Sequence, residues 1–347
     1  QGVELLHCGS AGVWRSYLSS HGSEMPRTLL LTSLTLSCCG ALSWVRFDAP
    51  PPTNAANTAQ RYPLYPLRAT YMPCGSVELR NTEPRNVRMC KETEYFVASL
   101  LNADGASCAA VGTLLRIDGV ENATRDSTGQ VLARPRDAPR ALRVRCTAVG
   151  RRRLVGIRNG DAYFDAGARL RGEFLVGEFE AYDDEQPTDT TPDNAASALA
   201  FLARSLKGDE KRVVEEAATL ATAETSWRAL ELWQRYCATR LATAAADARA
   251  DRDELLIDAK VRQGGAITVP VDITTLPPDD RRRILENDER AADALRQMEL
   301  ADATAFQALL EERSATARLA ALAAGALREG IRLAQRAALQ RAFAASP

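Results

Sequence analysis

The chain has 347 residues, of which 46% are hydrophobic and 26% charged, an ordinary balance for a globular protein with room for two modest domains. Its 44 basic and 45 acidic residues give a net charge of −1, so no positive excess favours a nucleic-acid or other polyanionic partner. The two histidines, His7 and His21, precede the region predicted to fold, and the eight cysteines include no C-x-x-C pair, which argues against a zinc site.

Residues 1–61 are predicted to be a presequence followed by a disordered linker. Residues 25–43 have the plan of a secretory signal, with Met25 and a short basic start, then an apolar run and small residues. We expect translation to begin at Met25; a buried N-terminal helix is the alternative. Residues 44–61 are rich in Ala, Pro, Thr and Asn, which favours disorder. The combination resembles the bipartite presequences of algae with complex plastids, so we expect delivery to a plastid (chloroplast), with secretion or the endomembrane system as the alternative.

Residues 62–185 are predicted to form a β-rich domain. Apolar residues that alternate or run together indicate short strands at 62–67, 77–80, 94–101, 109–117, 141–149, 154–157 and 173–182. Pro84 marks the start of a helix, because proline suits a first helical turn, where its missing N–H has no partner to lose. The polar residues 119–140 indicate a long surface loop. Short strands with irregular connections favour a closed or half-closed barrel, which leaves few exposed edges.

A polar break at 183–192 separates this region from a predicted helical part. Apolar residues spaced three and four apart, together with helix start and stop signals, indicate helices at 193–206, 211–250, 253–263 and 280–298, with an extended stretch at 266–275. Residues 299–347 are predicted to be one long helix or a hairpin broken near 325–330. Because a bare apolar stripe of that length is costly, this helix is expected to dock on the 193–260 helices or to pair with another chain.

A series of short motifs over residues 62–298 follows the order found in one protein family. They are YPLYPL at 62–67 (family PLFPL), MPCG at 72–75 (FPG), EPR at 83–85 (EPR), a VGT strand at 111–117, a GRFRV-like hairpin at 141–153, an acidic closing strand at 175–185 and an LP-led helical segment at 276–295. With these motifs the chain resembles the N-terminal substrate-binding domain of Lon proteases. It departs from the family pattern at Met72, where Phe is usual, and at Asn86, where an aromatic residue is usual.

The resemblance implies an α+β fold: a PUA-like β-barrel over 62–185, an α-helical bundle over 193–298 and a long C-terminal helix over 299–347. It also points to family-motif residues whose roles we expect to be structural, and these are Pro66, Leu67, Pro73, Gly75, Glu83, Pro84, Arg85, Gly112 and Thr113. The function it implies is protein binding. The partners would be unfolded or client polypeptides, or a protease or chaperone subunit, and no cofactor or metal is implied.

Full Lon proteases also carry an ATPase module and a Ser-Lys dyad, and this sequence has no Gly-Lys-Ser or Gly-Lys-Thr phosphate-binding loop. We therefore expect a stand-alone member that is not an enzyme. Without histidine in the folded part, Ser-His-Asp and Cys-His catalysis are excluded. The alternatives are a PUA-like RNA-binding module and a small enzyme using cysteine or carboxylate chemistry. We expect no stable membrane insertion after signal removal, and we consider self-association through the C-terminal helix.

Four further groups of residues allow a functional and a structural interpretation. The acidic residues 183–185 could form a metal or acid/base cluster, but they favour a solvated strand end. The arginines at 151–153 could contact phosphate, but they favour a charged hairpin tip. Glu83 and Arg85 are expected to fix the helix start by local pairing. The pair Trp227 and Trp233 favours bundle core over a binding box.

Overall fold

The computed structural model describes the chain in six stretches, which are residues 42–49, 59–122, 141–185, 190–204, 206–264 and 272–344, with side chains of the last helix given through residue 335 and at 338. Met25 and nearly all of the predicted signal lie outside the described residues, as does most of the predicted surface loop at 119–140. Among the helices of the described part, none carries an apolar stretch long enough to cross a membrane.

The strands of the described part alternate or run apolar as the sequence indicates. They are β1 (Trp44–Arg46), β2 (Gln60–Leu67), β3 (Ser76–Asn81), β4 (Tyr95–Leu100), β5 (Ser107–Ala109), β6 (Val111–Asn122), β7 (Leu142–Ile157) and β8 (Leu175–Ala181). Six of them form one sheet in the order β3-β7-β6-β4-β2-β8, and a further pairing of β7 with β8 closes it into a barrel. Within this sheet β2 and β4 run parallel, whereas the other pairs are antiparallel.

Strand β7 is one continuous strand of 16 residues, not the two strands and hairpin tip predicted for 141–157. One edge of β7 pairs with β6, and the other pairs first with β3 and then with β8. Along β6, Leu115 pairs with Ala148 and Leu114 with Gly150, so Val149 is an extra residue that forms a bulge. A bulge shifts the inward and outward alternation of a strand by one position. As a result Arg151 points toward the helical part and is buried there.

The helices begin with α1 in the barrel region and continue in the second half of the chain. They are α1 (Pro84–Glu92), α2 (Ala166–Leu170), α3 (Asp193–Ala203), α4 (Gly208–Thr219), α5 (Ala223–Arg262), α6 (Pro278–Glu311) and α7 (Ala315–Ala344), with short 3-10 turns at Gly160–Tyr163 and Ile273–Thr275. A barrel followed by helices confirms the predicted α+β fold class.

Helix boundaries differ from the prediction at three places in the second half of the chain. The predicted helix 211–250 is two helices, because Thr222 caps α5: its Oγ1 accepts from the Thr225 N–H at 3.2 Å, and Thr225 Oγ1 accepts from the Thr222 N–H at 3.0 Å. The predicted break before 253 is absent, and α5 runs for 40 residues. The break predicted near 325–330 is wrong as well, since α7 is helical there and the chain turns between α6 and α7 instead.

Two parts of the helical region differ in packing. The first half of α5, the end of α6 and the first half of α7 pack with α3 and α4 into one apolar core, which Met72 and Val111 of the barrel side join. This placement matches one of the two outcomes expected for the C-terminal helix, namely docking on the 193–260 helices. Residues 241–262 of α5 and 278–300 of α6 instead form a two-helix arm, because there each helix packs against the other. A helix of 40 residues is about 60 Å long.

The arm has a core of its own. It consists of Leu256, Ala259, Leu276 and Ile284 at the tip. Ion pairs join the two helices on the outside: Arg252 Nε lies 3.2 Å from Asp288 Oδ2, and Arg262 Nη2 lies 2.6 Å from Asp280 Oδ1. In the middle of the arm, at 241–255 and 285–301, no side chain is fully buried.

The linker predicted for 44–61 is wrong at both ends. Trp44–Arg46 is strand β1, and β2 already begins at Gln60. Phe47 is 1% exposed and belongs to a barrel core cluster with Leu64 and Phe179. A single buried aromatic residue and three backbone pairs are therefore enough to order a stretch whose composition favours disorder.

Candidate functional site

The predicted motif residues of the first turn lie where the barrel meets the helices. Pro73 and Gly75 are buried, and the turn is joined to β7 by the Cys74 N–H donating to the Ala148 carbonyl and the Ala148 N–H donating to the Gly75 carbonyl, both at 2.9 Å. A Cβ at Gly75 would lie 3.1 Å from the Met72 carbonyl oxygen and 3.2 Å from Glu231 Cγ of α5. The turn therefore fits tightly against the helical part.

The motif residues on the strands are packed with equal closeness. A Cβ at Gly112 would lie 2.6 Å from Val97 Cγ1 and 2.7 Å from the Ala98 carbonyl oxygen, so β6 can approach β4 only with glycine there. Thr113 is fully buried and its hydroxyl donates to the Tyr71 carbonyl. Pro66 and Leu67 end β2, opposite Ser99 and Leu100 of β4. These contacts are structural: they set the spacing of strands.

Glu83, Pro84 and Arg85 lie at the start of α1, away from that turn. The Glu83 carboxylate lies 3.2 Å from Arg85 Nε, and it accepts hydrogen bonds from Asn86 Nδ2 and Arg169 Nε, each at 3.2 Å. Arg85 in turn lies over the ring of Tyr163, with 4.7 Å between its guanidinium carbon and the ring centroid. The pair thus holds the helix start and an aromatic ring of the following 3-10 turn.

A buried group of charges joins the barrel to the helices, and the sequence did not predict it. We call Arg151, Asp184, Trp227 and Arg318 the joint cluster. Asp184 accepts from Arg318 Nη1 at 2.6 Å, from Arg318 Nη2 at 3.0 Å and from Trp227 Nε1 at 3.1 Å, and it also pairs with Arg151. The side chain of Arg318 is 0% exposed. The interpretation of 183–185 as a solvated strand end is therefore wrong for Asp184.

The joint cluster also terminates a helix. Arg151 Nη1 donates to the Leu310 carbonyl at 2.6 Å and to the Glu312 carbonyl at 2.9 Å, and Arg318 Nη1 donates to the same Glu312 carbonyl at 2.9 Å. The last carbonyls of a helix have no partner within it and carry partial negative charge, so two guanidinium groups stabilise this end of α6. The turn between α6 and α7 is fixed at this point.

The ring of Trp227 packs against both guanidinium groups. The guanidinium carbon of Arg318 is 3.8 Å from its ring centroid and that of Arg151 is 5.0 Å away. Burial lowers the pKa of Arg151 to about 10 and also lowers that of Arg318, but the Asp184 carboxylate opposes both shifts. Trp227 is 4% exposed, which confirms that it belongs to the core.

A second buried group of charges ties α5, α6 and α7 together. Arg240 Nη2 donates to both oxygens of Asp302, at 2.8 and 2.9 Å, while Tyr236 donates to Glu329 at 2.8 Å. Burial raises the pKa of Asp302, whereas the hydrogen bond from Arg332 lowers that of Glu329. The carboxylates of Asp302 and Glu329 are thus bonded to neighbouring side chains, as expected for a structural cluster, whereas Arg240 Nε is buried without a hydrogen-bond partner.

The thiols in the described part are poorly suited to nucleophilic chemistry. Burial raises the pKa of Cys90 to about 11 and those of Cys108, Cys146 and Cys237 to about 12, so these thiols stay protonated near neutral pH. Cys74 is exposed, and partial burial raises its pKa as well. Within the described stretches, no three histidine, cysteine or acidic side chains are grouped so that they could hold a metal ion.

Three of the exposed large apolar residues of the arm lie near its tip, and a fourth, Leu300, lies at the other end of the arm. Ile257 and Val261, one turn apart on α5, are 41% and 59% exposed, and Leu285 on α6 is 53% exposed. They flank the small tip core, in which the neighbouring Leu256 and Ile284 are buried. We call Ile257, Val261 and Leu285 the tip surface. Elsewhere in the described helices, Leu327 and Ile331 of α7 are each 51% exposed.

In the segment 43–49, strand β1 lies along β5 and the chain turns directly after Arg46, where the Ala49 N–H donates to the Arg46 carbonyl at 3.3 Å. Trp44, Val45 and Arg46 pair antiparallel with Ala109, Cys108 and Ser107. The Ala110 N–H donates to the Ser43 carbonyl at 2.7 Å, and the Phe47 N–H donates to the Ala106 carbonyl at 3.0 Å. We call residues 43–49 the N-terminal segment, and the surface that it covers the segment groove.

Comparison with other proteins finds similarity at the level of structure only, since no protein-family model and no curated protein sequence matches the chain. One similar solved structure is a Lon N-terminal domain protein from Xanthomonas campestris, 22% identical with a TM-score of 0.33, covering 50% of this chain and 82% of that one. Another is the N-terminal domain of a Mycobacterium avium complex Lon protease, 13% identical with a TM-score of 0.31, covering 46% of this chain and 74% of that one.

Identities and superpositions of this size do not allow any residue role to be transferred from either structure. The roles given above to individual residues therefore rest on the contacts that these residues make in this structure.

Proposed function

We propose that this chain is a non-catalytic protein-binding module that engages exposed apolar segments of unfolded or client polypeptides. The observation that carries this proposal is the tip surface, where three large apolar side chains are 41–59% exposed at the end of a two-helix arm. The tip core has four buried residues, and several large apolar side chains exposed beside so small a core indicate a surface that a partner covers.

The alternative functions draw less support from the contacts of the described residues. An RNA-binding role relied on the arginines at 151–153, and Arg151 is buried against Asp184 and the end of α6. A cysteine-based enzyme would need a reactive thiolate, and four of the thiols are buried with raised pKa values. The described carboxylates with the deepest burial are paired with arginine.

The test is binding of a chemically denatured client protein to the full chain, followed by light scattering and by anisotropy of the labelled client. The double substitution Val261→Glu, Leu285→Glu places charge on the tip surface, and we expect affinity to fall about tenfold or more. Leu170→Glu is the matched control, because Leu170 of the barrel region is also an exposed leucine, at 78%.

Circular dichroism should show unchanged helix content in both variants, because the substituted side chains are exposed. The proposal is overturned if the native chain neither binds the client nor suppresses its aggregation. It is equally overturned if the tip variant binds like the native chain.

A further inference from the structure

The segment groove has the construction of a peptide-binding site. The groove offers the edge of the short strand β5. Strand β1 of the N-terminal segment pairs with this edge and completes a two-stranded sheet. Addition of an extended segment to a free strand edge is one of the common ways in which proteins recognise peptides. The backbone bonds from Ala110 and Phe47 fix the register at both ends of the contact.

One side chain anchors the N-terminal segment. The ring of Phe47 is 1% exposed, and its centroid lies 4.4 Å from that of Tyr163 and 6.2 Å from that of Phe164. Arg85 covers the ring of Tyr163 and is itself held by Glu83. The EPR motif therefore supports one wall of the pocket that receives the aromatic anchor.

Gly160 forms the base of the groove by having no side chain. A Cβ there would lie 1.6 Å from the Phe47 carbonyl oxygen and 2.6 Å from its carbonyl carbon, so no other residue admits the segment. The clash would be with main chain, which cannot move aside as a flexible side-chain end can. The groove thus closely fits the main chain of the N-terminal segment at Phe47.

The two faces of the N-terminal segment differ. Val45 of β1 and Phe47, in the turn directly after it, both pack into the barrel core cluster. Trp44 is 37% exposed, and Arg46 points outward and pairs with Asp48 at 2.8 Å. Only the apolar and the aromatic position are read by the groove, which defines its ligand as an extended segment with the pattern apolar-x-aromatic.

We propose that the segment groove is a strand-addition site for apolar-x-aromatic segments of client polypeptides, and that the N-terminal segment is its tethered, competing ligand. This inference rests on the proposed function in one respect, namely that the ligand is a client polypeptide. A short tether gives an effective concentration on the order of 1 mM, so a client must bind more tightly than the N-terminal segment or arrive when that segment is displaced. Unlike the tip surface, this site selects a sequence pattern.

The experiment uses the full chain and a fluorescein-labelled synthetic peptide with the sequence of residues 43–49, SWVRFDA. In the native chain the groove is occupied, so we expect weak binding. In Phe47→Ala the tethered ligand has lost its anchor, and we expect the peptide to bind about tenfold or more tightly than to the native chain. A peptide with alanine in place of both Val and Phe should not bind.

Two glycine substitutions in the Phe47→Ala chain provide a matched pair. Gly160→Ala should abolish peptide binding, because the added methyl group occupies the position of the ligand backbone. Gly150→Ala should leave binding unchanged, since a Cβ there meets only Arg152 Nη1 at 3.9 Å. Binding that is indifferent to Gly160→Ala, or absent from a folded Phe47→Ala chain, overturns the proposal.

A second route keeps every residue of the segment native, in case Phe47→Ala does not fold. A specific protease site placed between residues 50 and 58 of the full chain allows the tether to be cut after folding. The labelled peptide should then exchange into the groove, whereas the uncut chain should show little exchange. Failure to exchange after cutting, at a peptide concentration on the order of 1 mM, overturns the proposal.

Competition separates this inference from the proposed function. If denatured client binds but the peptide never displaces it and Gly160→Ala has no effect, the segment groove is not a client site, while the proposed function stands. If the peptide binds Phe47→Ala but no client binds any variant, the proposed function fails and with it the client as ligand. If the chain forms a dimer that the peptide dissociates, the ligand of the segment groove is a second copy of this chain and not a client.

Discussion

The joint cluster and the arm each hold elements of the molecule together, but the ion pairs are buried in the joint cluster and lie at the surface in the arm. At the joint cluster, the side chains of Arg151 and Arg318 are 3% and 0% exposed, and both bind Asp184 as well as the end of α6. In the arm, the pairs Arg252–Asp288 and Arg262–Asp280 lie at the surface, and only a four-residue core is buried. The barrel and the helices are therefore joined by the buried charges of the joint cluster and by the apolar core that Met72 and Val111 enter, whereas the arm has little buried contact along its length.

This difference predicts how the molecule opens. Regions with few buried apolar contacts open locally at low free energy, whereas cores open only with global unfolding. The arm should exchange its amide hydrogens before the joint cluster does. A loosely held arm also suits a surface that must adapt to clients of varied sequence, whereas the joint must remain fixed.

The largest expected effect is at Asp184. Asp184→Ala leaves two buried guanidinium groups without their carboxylate, and removing one partner of a buried ion pair costs about 3–5 kcal/mol. Urea unfolding followed by circular dichroism measures this loss. The exposed neighbour provides the control, since Asp183→Ala should change the free energy of unfolding by about 0.5 kcal/mol or less. Equal effects of the two substitutions would show that the joint cluster is not the main connection.

In the arm, the corresponding change is Ile284→Ala. Ile284 is 1% exposed in the tip core, and truncating a buried isoleucine costs about 2 kcal/mol or more. We expect faster hydrogen exchange in residues 250–264 and 278–290, with exchange in β4, β6 and β7 unchanged. Leu285→Ala, at a 53% exposed neighbour, should leave exchange near its native rate. Faster exchange in the barrel strands would contradict a separately held arm.

Alkaline pH should weaken the body and spare the arm. Burial raises the pKa of Cys108 and Cys146 from 9.0 to about 12. Below pH 9 these thiols are neutral in both states; between about pH 9 and 12 only the unfolded state ionises, so stability is lost as pH rises. Each thiol contributes about 1.4 kcal/mol per pH unit in this window.

The measurement is the free energy of unfolding at pH 8 and pH 10, in the native chain and in Cys108→Ala, which should show a shallower dependence. The arm contains no cysteine or tyrosine at 241–264 or 272–300, so its hydrogen exchange, corrected for the intrinsic effect of pH, should stay constant. A stability that is level across this pH range would mean that the thiols are accessible to water.

The smallest effect concerns the surface pair Arg262–Asp280. A double-mutant cycle with Arg262→Ala and Asp280→Ala, read by hydrogen exchange in the arm, should give a coupling of about 0.2–1 kcal/mol that shrinks with added salt. The same cycle on Arg318 and Asp184 should give a much larger coupling that salt barely changes. Similar couplings in the two places would remove the contrast between joint and arm.

Much of the barrel could be predicted because its strands and its first helix follow from patterns of residues that are close together in the sequence. The strict alternation from Leu142 to Ala148 gives the first half of β7, and Pro84 gives the start of α1. The sequence also placed Trp227 in the core. Motif residues such as Gly112 and Thr113 were found by resemblance, and their contacts are structural.

What could not be predicted depends on partners distant in sequence. Asp184 looks like one acid among three, and only its contact with Arg318, 134 residues away, makes it a buried hub. The N-terminal segment is ordered by β5 and by the pocket around Gly160, neither of which its composition reveals. The helix predicted at 280–298 continues to Glu311 as α6, and its end is set by the guanidinium groups that bind the Glu312 carbonyl.

The bulge at Val149 has a consequence for how this protein can change over generations. In genetic terms, the gene encodes one residue more in β7 than in the part of β6 that faces it at this point. Loss of that codon would restore regular pairing here and turn Arg151 to the solvent, with Arg152 in its place. An in-frame deletion of a single exposed residue would thus remove the contacts of Arg151 in the joint cluster, whereas replacement of Val149 by another residue would not. Although Val149 is exposed, the number of residues in β7 at this point is therefore strictly constrained.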